Sequence, residues 1–282
     1  MVTVLRVYTL YLTTSLKEFY NMKKTLITLC AIAVIALTAM VGCSNSSAKD
    51  VQPLGIIGAM EEEVEIIKSK MNIQETVEIA NMTFYRGTID GKEIVLVRSG
   101  VGKVNMAACT QLLIDQFNVE ALINSGVAGT LNPELNQGDI VLSTAAVQHD
   151  FDTTAVGGKL GEIDRLGIDF FPASQELLAT AKKAASILTD ISVVEGDVAS
   201  GDQFVAGGET AQKIKDHFGE VSAVEMEGAA MAQVAYLNEI PYLIIRSISD
   251  KADGGADLSY EEFLPLAAKN SSEFVLKLIE LY

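Results

Sequence analysis

The chain has 282 residues, 49% of them hydrophobic, enough for one large α/β domain with a substantial core. Its 37 acidic against 21 basic side chains leave a formal charge of −16, a surface that repels phosphate backbones and argues against nucleic acid as a partner. Three cysteines without CxxC spacing argue against a zinc knuckle or disulfide framework, and the two distant histidines, His149 and His217, cannot build a multi-histidine metal site.

The first fifty residues read as an export signal rather than as fold. Lys23-Lys24 precedes an uncharged apolar run, Leu26 to Val41, followed by Gly42-Cys43 and the polar stretch Ser44-Asn45-Ser46-Ser47. A positive region, an apolar region and a small residue before the break make a secretory signal. The run is short of the roughly 20 apolar residues of a membrane span, so a retained anchor helix is the secondary reading. Met40-Val41-Gly42-Cys43 resembles a bacterial lipobox, with Met40 where leucine is usual. That resemblance implies a lipidated Cys43 as the new N-terminus and a protein held at the cell envelope by its lipid alone, or a cytoplasmic one if this segment is misread. The expected organisation is a signal peptide over 1–42, a tether over 43–51 and one catalytic domain over 52–282. Met22 begins a complete signal by itself, so 1–21 reads as a start-site artefact or as untranslated. Residues 1–42 hold four basic side chains and one acidic, so the remainder is more acidic still, at a formal −19.

The fold is expected to start with a buried strand at Pro53 to Ala59. Met60-Glu61-Glu62-Glu63-Val64 then opens a helix whose first-turn carboxylates suit the helix dipole. Met82 to Ile89 and Glu93 to Val97 read as a strand pair around an Asp90-Gly91 turn. Val104 to Phe117 is expected to be helical, and Ala121 to Asn124 a short strand running into Ser125-Gly126-Val127-Ala128-Gly129. Further strands are predicted at Asp139 to Val147, Ile191 to Ala199 and Pro241 to Ser249. Further helices are predicted at Leu177 to Leu188, Thr210 to Phe218, Ala229 to Leu237 and Tyr260 to Leu281. Strands alternating with helices predict a single three-layer α/β/α domain around a central mixed sheet.

Two phosphate-binding patterns fail on inspection. Gly100-Val101-Gly102-Lys103 has Val97 where the first P-loop glycine belongs and Val104 where Ser or Thr belongs. Gly55-Ile56-Ile57-Gly58 lacks the G-x-G-x-x-G spacing of a dinucleotide fingerprint. His149-Asp150 reads as a structural histidine in a loop, because no serine or cysteine nucleophile accompanies it.

Four segments put polar residues at strand ends, where open α/β folds bind ligands. They are Gly58-Ala59-Met60-Glu61-Glu62-Glu63, Ser200-Gly201-Asp202-Gln203-Phe204-Val205, Val224-Glu225-Met226-Glu227-Gly228 and Arg246-Ser247-Ile248-Ser249-Asp250. Singly, Glu61 and Glu62 are solvated helix-end charges, Phe204 a core aromatic, Met226 a core filler and Asp250 a cap or turn. Together they supply carboxylates, one arginine, an aromatic face and methionines, the equipment for cleaving a sugar with an apolar substituent from a base.

In this order the four segments resemble the 5'-methylthioadenosine/S-adenosylhomocysteine nucleosidases, a branch of the nucleoside phosphorylase superfamily. The similarity runs from about Leu54 to the C-terminal helix. Phosphorylases place phosphate-binding basic residues near the first strand, where this chain has three glutamates, so the resemblance implies water as the nucleophile. It further implies that Glu63 polarises that water, with Arg246 nearby, and that Asp250 protonates purine N7, supported by Ser249. Glu227 would accept the ribose hydroxyls, with Met226 against the sugar and Gly129 in the loop over base and sugar. Phe204 would stack on adenine and the backbone of Val205 would read its edge. Met60, Val101 and Tyr260 would surround the 5'-thio group. The expected partners are adenine thio-nucleosides and a second copy of the chain, with no metal or organic cofactor.

The chemistry needs these residue types. Departure of the base leaves oxocarbenium character on the ribose. An acid at N7 removes charge from the leaving base, and a carboxylate facing the sugar both stabilises positive charge and takes water's proton. The chain departs from the family at Val127, in place of a small hydroxyl residue, and at Val156, where a phenylalanine often crosses a dimer interface. Export is the third departure. The rival readings are a nucleoside phosphorylase, an aminodeoxyfutalosine-type hydrolase and an exported nucleoside-binding protein.

Overall fold

The computed structural model describes residues 22, 51–188 and 190–282. The signal segment, Cys43 and most of the tether lie outside the described residues. Val51–Tyr282 forms one compact unit. No helix among the described residues is long and apolar enough to cross a membrane.

Strand β1 (Leu54–Gly58) is buried along its length, as its run of apolar residues requires. Helix α1 (Glu61–Lys70) follows, with Glu61, Glu62 and Glu63 in its first turn and Lys68 and Lys70 in its last, both favoured by the helix dipole. Strands β2 (Asn72–Ile79), β3 (Met82–Ile89) and β4 (Lys92–Arg98) form an antiparallel meander. Asp90 and Gly91 both have positive φ, as the expected tight turn demands. Strand β2 was not foreseen from the sequence. It is the edge strand, mostly exposed, and holds its place by backbone pairing to β3 rather than by a buried face.

Helix α2 (Lys103–Phe117) leads to β5 (Ala121–Gly129), nine buried residues pairing in parallel with β1. Strand β6 (Ile140–Gln148), the short β7 (Phe170–Pro172), helix α3 (Gln175–Ala185) and β8 (Val193–Ser200) come next. Helix α4 (Gly208–Phe218), the three-residue β9 (Ala223–Glu225), helix α5 (Gly228–Leu237), β10 (Tyr242–Asp250) and helix α6 (Ala256–Leu281) complete the chain. The last helix begins four residues before its sequence-predicted start.

The sheet is mixed, as expected, with helices on both faces. Helix α6 packs on β10 and β5 with α1 and α3 beside it, and α5 covers β6 and β8 with α2 against it. One feature was not foreseen. Strand β10 pairs with both β5 and β6, and the order β10-β6-β8-β9-β5 returns to its start. Those five strands close into a ring, and β1, β4, β3 and β2 extend from it as an open sheet. Every residue proposed from the sequence as catalytic or substrate-binding lies on this ring, or on the loops and helix ends beside it.

Candidate active site

Glu63 sits in the first turn of α1, beyond the end of β1, and is 2% exposed. Its Oε2 accepts the backbone N–H of Ala59 (2.6 Å) and Met60 (2.9 Å), and its Oε1 accepts that of Val127 (3.0 Å). The carboxylate thus caps its own helix while reaching to β5. Burial raises its pKa, against the pull of Arg246 and the three N–H donors. Two serines of α6 brace this corner. Ser272 Oγ donates to the Glu63 carbonyl (3.3 Å), and Ser271 Oγ accepts the Gly126 N–H (3.0 Å).

Gly126 explains how Glu63 and Arg246 share this corner. A Cβ at Gly126 would stand 2.2 Å from Arg246 Nη1 and 2.5 Å from Glu63 Oε1. The bare backbone lets both charged groups approach the same point, and alanine there would force them apart.

Arg246 projects from the middle of β10 and is 1% exposed. Its Nη2 donates to Asn124 Oδ1 (2.6 Å) and to Glu225 Oε2, and lies 3.7 Å from Glu227 Oε2. Its Nε and Nη1 have no hydrogen-bond partner among the described residues. Glu225 in turn accepts the N–H groups of Glu227 and Gly228 and the hydroxyl of Ser200. It is therefore both the cap of α5 and the counter-charge of Arg246. Glu227 Oε1 accepts the N–H of Gly102 (2.8 Å). Burial, and then the charge of Glu225, push the Glu227 pKa up to about 8.

Asp250 ends β10. Ile248 pairs with Ala128 and Asp250 with Gly129, so Ser249 is the extra residue of a β-bulge. Bulges re-aim side chains at sheet rims, and this one turns two polar residues in succession into the site. Asp250 Oδ1 accepts the Ala252 N–H (2.8 Å), and Ser249 Oγ donates to Oδ2 (2.9 Å). Burial raises the pKa of Asp250, with those two hydrogen bonds opposing. A Cβ at Gly129 would lie 2.6 Å from Asp250 Oδ1, so this glycine is also required by close approach.

These groups line one cleft. Glu63, Glu227, Ser249 and Asp250 supply its polar wall, with Gly129 beside them. Met60, Val101, Val127, Phe204, Met226 and Tyr260 supply its apolar wall. Phe204, 49% exposed, meets the Tyr260 ring edge-on at 5.6 Å between centroids, and the Tyr260 hydroxyl lies 3.2 Å from Met60 Sδ. Among the described residues no lysine or arginine lines this cleft.

Ten of the twelve residues proposed from the sequence as catalytic or substrate-binding line the cleft. The other two stand behind it. The Val205 side chain is buried in a secondary apolar cluster with Ala199 and Val221, and Arg246 lies behind Glu63 and Glu227. Sequence reasoning gave no role to Glu225, Asn124, Gly126, Ser200 or Ser271. Glu225 stood inside a quoted segment, but its partner Arg246 is found only through the fold. His149 is buried in the loop, and its Nε2 has no partner among the described residues. Val156 is 86% exposed in a short 3-10 turn, Thr154–Val156.

The chain can be set beside known proteins. A family model described as Phosphorylase superfamily matches residues 53–280. A 5'-methylthioadenosine/S-adenosylhomocysteine nucleosidase of Psychromonas ingrahamii is 45% identical over 226 residues, 80% of this chain and 97% of that protein. The crystal structure of the Neisseria meningitidis enzyme of the same name, in complex with methylthio-immucillin-A, superposes with a TM-score of 0.79 at 40% identity. It covers 81% of this chain and 99% of its own. A futalosine hydrolase of Helicobacter pylori superposes with a TM-score of 0.78 at 37% identity, covering 82% and 98%.

Proposed function

The chain belongs to the phosphorylase superfamily, among its 5'-methylthioadenosine/S-adenosylhomocysteine nucleosidases, and from that premise we propose how its residues divide the reaction. The enzyme hydrolyses the N-glycosidic bond of 5'-methylthioadenosine and S-adenosylhomocysteine, releasing adenine and the thioribose product.

The observation that carries the residue assignment is the convergence of Glu63, Asp250 and Glu227 on one cleft whose other wall is apolar and whose lining, among the described residues, has no basic group. Three of the roughly four lone-pair positions on the Glu63 carboxylate are filled by backbone N–H groups. The remaining one holds the attacking water and takes its proton. The charge of Arg246 opposes the burial that raises the Glu63 pKa and so favours the ionised form that must act as base. On the other side of the scissile bond Asp250 delivers a proton to N7. Its raised pKa keeps the acid form available nearer neutral pH, and Ser249 and Ala252 fix its direction. Two carboxyl groups in different surroundings thus take opposite parts in one reaction. Glu227 receives the ribose hydroxyls and Met226 packs on the sugar. Phe204 stacks on the base while the Val205 backbone reads its edge, and Met60, Val101 and Tyr260 surround the 5'-thio group, whose apolar character suits them.

The lack of lysine or arginine in the cleft lining among the described residues favours water over phosphate as the nucleophile. Adenine release from 5'-methylthioadenosine, S-adenosylhomocysteine, adenosine and inosine, with and without phosphate, tests this. Phosphate-independent release, fastest from the two thio-nucleosides, is expected. Strict phosphate dependence would contradict it.

The enzyme is further assigned as a homodimer. Val104 and Val156 are 79% and 86% exposed, large apolar groups that a second copy would cover. A monomer of full activity in sedimentation would contradict this. The assignment of Cys43 as a lipidation site at the cell envelope rests on the signal-like sequence. Cys43→Ser should block precursor processing and remove a metabolic fatty-acid label, whereas an unlabelled cytoplasmic wild-type protein would contradict it.

A further inference from the structure

Beside the cleft, three loops are tied together by a closed ring of charged groups. Lys103 opens α2, directly after Gly102. Its backbone N–H donates to Asp202 Oδ1 (2.8 Å). The Asp202 N–H donates to Asp150 Oδ2 (2.9 Å), and Asp150 Oδ1 accepts from Lys103 Nζ (2.5 Å). Lys103 Nζ also donates to Gln148 Oε1 (3.0 Å). The Lys103 and Asp150 side chains are 17% and 21% exposed, so salt screens their pairing less than it screens an open surface pair. Burial works to raise the Asp150 pKa, but the Lys103 and Asp202 contacts outweigh it and hold the carboxyl below its ordinary value.

Two of these loops carry cleft residues, Val101 just before Lys103 and Phe204 just after Asp202. Helix α2 has glycine at its N-cap and no side-chain cap of its own, so Asp202 caps it from another loop. A Cβ at Gly201 would meet the buried His149 ring at 2.5 Å, so the loops are packed without slack. The product of this arrangement is the Gly102 N–H. It makes the one hydrogen bond that the Glu227 carboxylate receives among the described residues, at 2.8 Å, while Arg246 waits 3.7 Å away on the other side.

We propose that Asp150 is a positioning residue: through Lys103 and Asp202 it fixes the Gly102 N–H that holds the Glu227 carboxylate toward the sugar, and so sets recognition of the ribose hydroxyls. Without that N–H, Glu227 turns toward Arg246 and away from the substrate. This rests on the reading of Glu227 as acceptor of those hydroxyls.

The test is the split between KM and kcat for 5'-methylthioadenosine and its 3'-deoxy analogue, in the wild type and in Asp150→Ala, Asp150→Asn and Lys103→Met. Asp150→Asn keeps the size and the acceptor for the Asp202 N–H while removing the charge that pairs with Lys103, so it reads the same split if the alanine variant does not fold. The KM for 5'-methylthioadenosine should rise about tenfold in Asp150→Ala, the size of one lost hydrogen bond. It should rise less in the other two variants. The KM for the 3'-deoxy analogue should rise less than that for 5'-methylthioadenosine, because only one of the two hydroxyls remains to lose its contact, and both kcat values should change by less than about threefold. Equal KM rises for both substrates, or falls in kcat alone, would mean that the ring merely supports the loops and would overturn the proposal. A wild type that does not distinguish the two substrates would instead overturn the reading of Glu227, and the proposal with it.

Discussion

Strand β2 pairs with β3 at the sheet edge and leaves most of its side chains in solvent, whereas β10 is buried along all nine residues and still carries Arg246, Ser249 and Asp250. The meander β2–β4 places no residue of β2 or β3 in the cleft, whereas β5, β9 and β10 of the ring supply Val127, Ala128, Gly129, Val224, Ser249 and Asp250. This fold holds its costly groups on the closed ring and on the helix ends beside it. A buried carboxylate or guanidinium is tolerated only where backbone donors and counter-charges converge. Closing the ring brings the ends of β5, β9 and β10 together, so Glu63, Glu225, Glu227 and Arg246 share partners that an open edge could not offer. The meander has no such convergence, and its charges stay in water.

Substitutions can sharpen this contrast. The largest effect is expected at Glu63→Gln, which keeps the size and the helix cap but removes the base. Turnover should fall by about 10²–10⁴-fold while substrate analogues still bind, measured as kcat beside an inhibitor titration. Near-normal turnover would remove Glu63 from its role.

Next is Glu225→Ala, which leaves the buried Arg246 without its nearest counter-charge. It should cost about 3–5 kcal/mol of stability in denaturant titration, the usual penalty for breaking a buried pair. A loss below about 1 kcal/mol would mean that Glu227 replaces Glu225 as partner.

A smaller effect of opposite sign is expected at Glu227→Gln. The folded protein raises this pKa from an ordinary carboxylate value to about 8, so within that window the native state binds more protons than the unfolded state. Stability from this group is then present below its unfolded pKa and lost as pH rises toward 8. The variant should therefore melt higher relative to wild type at pH 8 than at pH 5, while hydrolysing poorly. A difference in Tm that is flat with pH would contradict the raised pKa.

The smallest effect is expected in the meander. Glu78→Ala on β2 should change stability by less than about 0.5 kcal/mol and leave kcat/KM unchanged.

The sequence carried much of this architecture because strongly patterned segments formed where their pattern pointed: β1, β3, β4, α2 and β10. Strand β2 escaped because it has no buried face to impose alternation, and β9 because three residues leave no period to read. The closure of the ring depends on pairings between β5, β6 and β10, distant in sequence, that no local pattern encodes. In the site, Glu63, Glu227 and Asp250 stand out as polar residues at strand ends. Glu225 and Asn124 look no different in sequence from solvated neighbours, and only the tertiary approach of Arg246 distinguishes them. Gly126 and Gly129 are likewise explained only by what their missing side chains would strike. The bulge at Ser249 explains why two consecutive residues serve one site, which a regular strand would send to opposite faces.

The central claim is that Glu63 and Asp250 act on opposite sides of one bond, as base toward water and acid toward purine. It is tested most directly by Asp250→Asn, assayed on 5'-methylthioadenosine and on a 5'-methylthioribosyl substrate whose base leaves readily without protonation. Turnover of the adenine nucleoside should collapse while the activated substrate loses little, and Glu63→Gln should impair both. Equal losses on the two substrates in Asp250→Asn would contradict it.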